Sequence, residues 1–212
     1  MRKRLLVVDL DHTLVYCDPY IYLLPLVSTE RLCAFFRGAG RVYLNKPIVD
    51  LVRTTHDNVV IYTDSVLDTA RVRVQALFNN KTTPHVKFLV TADSVYNLMD
   101  SQVVARRGPE LKKKSLIELE SLLFPYLGAS EHTTFYDDRP KSDIEYNPER
   151  HSIISINPFV VEKSRQLSLS DVAKHLDVSL TKELRNACNT YKEEEDARLA
   201  TERVKKMSLF IQ

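Results

Sequence analysis

The stretch RLLVVDLDHTLV, residues 4–15, places two aspartates at the end of a continuous apolar run. An apolar run without polar alternation predicts a strand that is buried on both faces, as in a parallel sheet. Asp9 and Asp11 follow the run directly, and burying a carboxylate is costly unless an opposite charge or a metal ion compensates it. The stretch therefore predicts a buried parallel strand that ends in a charged functional site.

Further short apolar runs alternate with segments of helical periodicity along the chain. The runs predict strands at Val42–Leu44, Val59–Tyr62, Val86–Val90, Thr133–Tyr136 and Ser152–Ile156. The helical patterns cover a helix capped by Asn45, then Val66–Phe78, Leu111–Leu123, Ser168–Leu176 and Ser179 to about Leu209, whereas Thr91–Pro109 is irregular. Strands that alternate with helices predict an α/β fold with a mostly parallel central sheet.

Composition bounds the class of protein. The 212 residues are 44% hydrophobic, enough for a full core, and the formal net charge of +2 gives no argument for nucleic-acid binding. No apolar stretch approaches the ~20 residues of a membrane span, and three widely spaced cysteines indicate a reducing compartment. We therefore expect an intracellular protein, cytoplasmic or nuclear. Because the pattern after Ser168 is helical throughout, we also expect one domain at residues 1–165 and a helical extension at 166–212.

Polar side chains follow three of the predicted strands at the point where each strand ends. Asp9 and Asp11 follow the first, Thr63 a second, and Asp137 with Asp138 a third. Ligands of open α/β sheets bind at the carboxyl ends of the strands, so these side chains should meet at one edge. Carboxylates gathered there repel one another unless a cation lies among them, and hard oxygen ligands without a His or Cys cluster favour Mg²⁺ over Zn²⁺.

The motif DLDHTLV resembles the DxDx[TV][LV] signature of the haloacid dehalogenase superfamily of phosphatases. More narrowly, LLVVDLDHTLV, LNKPIVDLV, VVIYTDS, KKKSLIEL and TFYDDRP are similar to phosphatases of the RNA polymerase II C-terminal domain. The resemblance covers roughly residues 4 to 160 and departs from the family at Lys46, usually Arg, and at His12, usually Glu or Gln. It implies a Rossmann-like three-layer fold. The segments after Leu14 and after Ser65 are too short for a large cap domain.

The resemblance also implies roles for individual residues. Asp9 would be the nucleophile that forms an aspartyl-phosphate, and Asp11 the acid and base, with its backbone carbonyl on the metal. Thr63 would hydrogen-bond the phosphoryl oxygens. Asp138 would bind Mg²⁺ together with Asp9, and Asp137 would pair with a lysine.

That lysine, which would neutralise the phosphate and steady Asp9, is assigned to Lys114 because KSLIEL best matches the family pattern. Lys112 and Lys113 stay open as alternatives. Arg139 either contacts a phosphate or pairs with a nearby acid. His12 either shapes its loop or contacts the substrate. Ser65 is expected to have a structural role.

The expected function is a Mg²⁺-dependent phosphatase for phosphoserine or phosphothreonine in proteins, because a site without a large cap suits a macromolecular substrate. One alternative is a phosphatase of the same fold that acts on nucleic-acid 3′-phosphate ends or on small phosphate esters. Nucleic acid is not favoured, since the sequence has no basic groove studded with aromatic residues. A second alternative is a catalytically silent interaction module. The sequence does not indicate the oligomeric state.

Overall fold

The computed structural model describes residues 4–16, 23–24, 26–78, 83–107, 114–139 and 141–190, together with residues 193, 194 and 197. The strands are β1 (Arg4–Val8), β2 (Asn58–Tyr62), β3 (Val86–Val90), β4 (Ser94–Asn97), β5 (Gln102–Arg106), β6 (Lys114–Ser115), β7 (His132–Asp137), β8 (Ile144–Glu145) and β9 (His151–Ser155). The helices are α1 (Thr29–Arg37), α2 (Lys46–Thr54), α3 (Leu67–Leu77), α4 (Leu116–Leu127) and α5 (Leu169–Leu176). Residues 182–190 are also helical.

Seven of the strands form one sheet in the order β5-β4-β3-β2-β1-β7-β9. The five strands from β3 to β9 in this order are parallel, and β4 and β5 extend the sheet as an antiparallel hairpin. The mostly parallel α/β fold predicted from the sequence is therefore confirmed. The arrangement is consistent with a Rossmann-like fold of three layers.

Alternate side chains of β1 enter two separate cores, one on each face of the sheet. Leu6 and Val8 face the core that α1, α2, α3 and α5 cover, whereas Leu5 and Val7 face the core that α4 covers. A strand with period 2 and apolar residues at every position needs a helix layer on both faces. This requirement is why the run of residues 5–8 lies in the interior of the sheet, between β2 and β7.

Three local predictions differ from the structure. Thr91–Pro109, which looked irregular, contains the β4–β5 hairpin; its turn has no glycine, and Ser101 takes the left-handed conformation with φ 54°. Val42–Leu44 is not a strand, because residues 39–43 form a 3₁₀ turn and Leu44 makes only an isolated bridge to Val15. The helix predicted from Leu111 begins at Leu116, where Ser115 caps it.

The described part of the C-terminal extension packs on the domain. Val172, Ala173 and Leu176 of α5 belong to the first core, and the amide of Leu167 donates to the hydroxyl of Tyr43 at 2.7 Å. Cys188 is also buried in this core, and burial raises the pKa of its thiol. In the described ranges, no helix has the length and apolar character that crossing a bilayer requires.

Candidate functional site

The loops after β1, β2 and β7 meet at the carboxyl edge of the sheet. Val8 lies in register with Ile61 on one side and Tyr136 on the other, so the three strands end at the same level. The amide of Asp9 donates to the carbonyl of Tyr136 at 2.9 Å, which fixes the first residue of the loop. The strand-end residues that the sequence analysis selected are therefore neighbours.

Lys114 lies between two of the carboxylates. Its Nζ is 2.5 Å from Asp9 Oδ1 and 2.7 Å from Asp137 Oδ2. All three residues are buried, with exposed fractions of 2%, 3% and 0%. Of the three candidate lysines, Lys114 is thus the one that the structure places in the site; Lys112 and Lys113 lie outside the described residues.

Two aromatic rings lie beside the ammonium of Lys114. Its Nζ lies 5.8 Å from the ring centre of Tyr62 and 5.5 Å from that of Phe135, and the two rings are stacked. The backbone is held because β6 pairs with β8 and the Ser115 amide donates to the Tyr62 hydroxyl at 3.2 Å. The rings of Tyr62 and Phe135 therefore lie close to the ammonium and help to hold it beside the carboxylates.

The charges of this cluster do not balance. Burial raises the pKa of the Asp9 carboxyl well above its ordinary value; Lys114 opposes the shift, and Asp137 and Asp138 reinforce it. Burial alone would lower the pKa of Lys114, but Asp9 and Asp137 hold it above its ordinary value, so the ammonium stays charged. One ammonium among three buried carboxylates leaves negative charge that a bound cation can compensate.

The same carboxylates could hold a metal ion. Asp9, Asp137 and Asp138 each offer an oxygen, and these three oxygens lie within 4.8 Å of one another. Asp137 is already engaged at both oxygens, since Oδ1 accepts from the Arg139 amide at 2.7 Å and Oδ2 from Lys114. Asp137 therefore also anchors Lys114 and the start of the loop after β7. An all-oxygen donor set suits a hard divalent cation.

Asp11 belongs to a second network beside the first. Its Oδ2 accepts from the hydroxyls of Thr63 at 3.0 Å and Ser65 at 2.6 Å, and its Oδ1 forms an ion pair with Arg73. Arg73 is fully buried, and it also donates to Ser65 Oγ at 3.0 Å and to the carbonyl of Thr69 at 3.2 Å. Two hydroxyls and a guanidinium thus fix the Asp11 carboxylate.

Sequence reasoning missed Arg73, although a signal for it exists. Arg73 lies three residues after Ala70 and four before Leu77, so it shares the buried face of α3. An arginine on the apolar face of a helix needs a buried acid as its partner. Ser65, to which a structural role was assigned, likewise joins Asp11 to this arginine.

His12 and Arg139 are placed differently from the carboxylates. His12 is buried with φ 60°, its carbonyl accepts from the Phe159 amide at 2.6 Å, and its ring packs edge-on against Tyr16. These contacts favour a role in shaping the loop. Arg139 forms an ion pair with Asp64 across the opening of the site. Of the two expectations for Arg139, the structure shows pairing with a nearby acid.

The structure thus brings together at one edge all seven residues expected from the sequence: Asp9, Asp11, Thr63, Lys114, Asp137, Asp138 and Arg139. Comparisons with protein-family models, curated proteins and solved structures found no match to this chain. Inference about function therefore depends on the motif and on the geometry of this edge.

Proposed function

We propose that this protein is a Mg²⁺-dependent phosphatase that hydrolyses phosphomonoesters through a phosphorylated Asp9. The main support is the buried Lys114, whose ammonium contacts both Asp9 and Asp137 beside Asp138. Phosphoryl transfer needs positioning and charge neutralisation, and an ammonium with a cation site beside a carboxylate supplies both. The DxD motif after β1 supports the same assignment.

In the first step Asp9 attacks phosphorus. Lys114 holds Oδ1, and within the described residues no hydrogen bond reaches Oδ2, which leaves that oxygen for the attack. A bond forms between Oδ2 and phosphorus while the ester P–O bond breaks. For an alcohol to depart, Asp11, two residues on, must enter this step in its protonated form and give that proton to the leaving oxygen.

In the second step Asp11 takes a proton from a water molecule. That water attacks the phosphorus of the aspartyl-phosphate, the bond to Asp9 breaks, and inorganic phosphate leaves. Lys114 stays beside Asp9 through both steps and neutralises negative charge as it develops.

Magnesium would be held by the carboxylates of Asp9 and Asp138 and by the backbone carbonyl of Asp11. When bound, it neutralises phosphoryl oxygens and aligns the phosphorus with Asp9. Asp137 keeps its place as the partner of Lys114 and of the Arg139 amide.

A macromolecular substrate, phosphoserine or phosphothreonine in a protein, fits the insertions best. The segment between β3 and α4 extends the sheet as a hairpin, and α1 packs into the core, so the described part of neither insertion forms a separate cap domain. The decisive assay compares phosphopeptides with 3′-phosphorylated oligonucleotides and an aryl phosphate, each with Mg²⁺ and with EDTA. We expect hydrolysis that requires Mg²⁺ and favours the phosphopeptides. Preference for the oligonucleotide or for small esters would redirect the assignment, and no hydrolysis of any substrate would favour the interaction module.

Arg73 offers a prediction that separates a positioning role from a structural one. Arg73→Met removes the guanidinium that orients Asp11, and we expect steady-state turnover to fall ~10²- to 10⁴-fold. With p-nitrophenyl phosphate, whose leaving group needs no proton, attack by Asp9 should continue while water activation fails. Rapid-mixing experiments should then give a burst of one nitrophenolate per protein, followed by slow turnover.

Arg71→Met is the matched control, because Arg71 lies on the same helix and stacks on Tyr96, away from Asp11. It should show neither the burst nor the loss. Ser65→Ala should give a milder version of the Arg73→Met result, since Ser65 also donates to Asp11. A fall in turnover without a burst in both Arg73→Met and Ser65→Ala would contradict a role in orienting Asp11.

A further inference from the structure

A cavity of about 830 Å³ lies beside the loop of residues 9–15 and carries a strong positive charge. Its walls come from the end of α1, the 3₁₀ turn of residues 39–43, helix α2 and the segment that follows β9. Two carboxylates, Asp50 and Glu162, are outnumbered by five cationic side chains: Arg37, Arg41, Lys46, Arg53 and Arg165. The excess of three positive charges exceeds the formal net charge of the whole chain, which is +2.

Part of the cavity lies at the same edge of the sheet as Asp9. Helix α2 precedes the parallel strand β2, so it begins at the carboxyl edge, and the segment after β9 leaves from that edge as well. Two hydrogen bonds join the cavity wall to the loop of residues 9–15. Asn45 Nδ2 donates to the Thr13 carbonyl at 2.8 Å, and the Phe159 amide donates to the His12 carbonyl at 2.6 Å. Two residues of the cavity wall are thus hydrogen-bonded to the loop that carries Asp9 and Asp11.

The structure pairs these cations with no carboxylate in the part of the chain that it describes. All five are exposed. Arg53 donates to the Leu77 carbonyl at 3.2 Å. The positive end of the α2 dipole, at Lys46, adds to the field. A cleft with an excess of positive charge attracts an anionic ligand.

We propose that this cavity binds a second phosphate of a doubly phosphorylated peptide while the first phosphate lies at Asp9. The inference rests on the proposed phosphatase function and names the substrate of that site. Four of the five cations are arginines, whose planar guanidinium forms paired hydrogen bonds with phosphate oxygens. Phosphate bound there would place the neighbouring phosphoserine at the adjacent loop.

The lining of the cavity favours a peptide over a nucleic acid. Apolar side chains of Leu44, Pro47 and Val160 stand beside the cations and suit the side chains of a peptide. Of the two rings in the lining, Phe36 is buried and Phe159 is only half-exposed. Binding of single-stranded nucleic acid normally uses successive exposed rings along a continuous basic groove.

The test uses the full chain and a series of peptides that carry one phosphoserine, or two separated by one to six residues. At the spacing that spans the two sites, we expect kcat/KM to rise about tenfold over the singly phosphorylated peptide, through a lower KM. Arg41→Gln with Arg165→Gln should abolish this gain. The double variant should leave turnover of the singly phosphorylated peptide and of an aryl phosphate unchanged. Arg185→Gln, exposed and outside the lining, should keep the gain.

Aryl phosphate hydrolysis reports on the phosphatase proposal alone, so the two proposals fail separately. If the wild type hydrolyses the aryl phosphate but no spacing gives a gain, the second phosphate site is wrong. The second phosphate site would also be wrong if the double variant lowered kcat/KM for 3′-phosphorylated oligonucleotides but not for doubly phosphorylated peptides. If nothing is hydrolysed, fluorescence anisotropy of labelled peptides still tests the second phosphate site. The affinity for the doubly phosphorylated peptide must then exceed that for the singly phosphorylated peptide, and Arg41→Gln with Arg165→Gln must remove the difference. Equal affinities would overturn the proposal.

Discussion

Asp9→Asn is expected to lower Mg²⁺-dependent hydrolysis of an aryl phosphate by ~10³-fold or more, to the background of the assay. The amide cannot form the bond to phosphorus that the aspartyl-phosphate requires. Lys114 keeps its second partner, Asp137, at 2.7 Å, so the site should retain its shape. The measurement is steady-state turnover of the wild type and of the variant in the presence of Mg²⁺.

The stability of Asp9→Asn separates loss of chemistry from loss of fold. Burial disfavours the ionised Asp9 carboxyl in the folded protein, so replacing it by a neutral amide removes a cost. We expect the Tm of the metal-free variant to equal or exceed that of the wild type. Beryllofluoride with Mg²⁺, which mimics a phosphoryl group on aspartate, should raise the Tm of the wild type only.

Asp100→Asn is the control for this substitution, because the exposed Asp100 lies in the β4–β5 turn at the opposite edge of the sheet. It should retain full activity. Turnover of Asp9→Asn within tenfold of the wild type would exclude Asp9 as the nucleophile.

Lys114→Met should lower the free energy of unfolding by ~3–5 kcal/mol in metal-free protein and abolish turnover. The side chains have similar length, but the variant leaves the carboxylates of Asp9 and Asp137 buried without their cation. Removing one partner of a buried ion pair costs far more than the pair contributes net, because the remaining charge stays desolvated. Urea unfolding without Mg²⁺ measures the change.

A double substitution tests this cause directly. Asp137→Asn on the Lys114→Met background removes one of the two abandoned charges and should restore part of the lost stability. The control is Lys87→Met, since Lys87 is a half-buried lysine on β3 with no ion pair among the described residues. If Lys114→Met proves as stable as Lys87→Met, the buried carboxylates are not ionised in the metal-free protein, and the charge balance described for the site is wrong.

Local sequence patterns predicted most strands of the central sheet. Apolar runs predicted β1 and β2 to within one residue, because a strand covered on both faces must be apolar throughout. Runs that mix apolar with polar residues predicted β3, β7 and β9 equally closely. The β4–β5 hairpin escaped prediction because β5 is an edge strand with partly exposed side chains and its turn uses Ser101 in place of glycine. Such a strand has no clear period, and such a turn has no residue that marks it.

For the candidate site as well, the sequence predicted some features and only the tertiary structure showed the others. The sequence by itself determined that Asp9, Asp11, Thr63 and Asp137 with Asp138 follow strand ends, and parallel pairing necessarily brings strand ends to one edge. Only the tertiary structure decided that Lys114 reaches Asp9, that Arg73 holds Asp11, and that cations from α1, α2 and the segment after β9 share one cavity. Those contacts join residues 62 to 105 positions apart, or elements from both ends of the domain. Periodicity reports which face of its own element a side chain occupies, whereas its partner depends on how the elements pack.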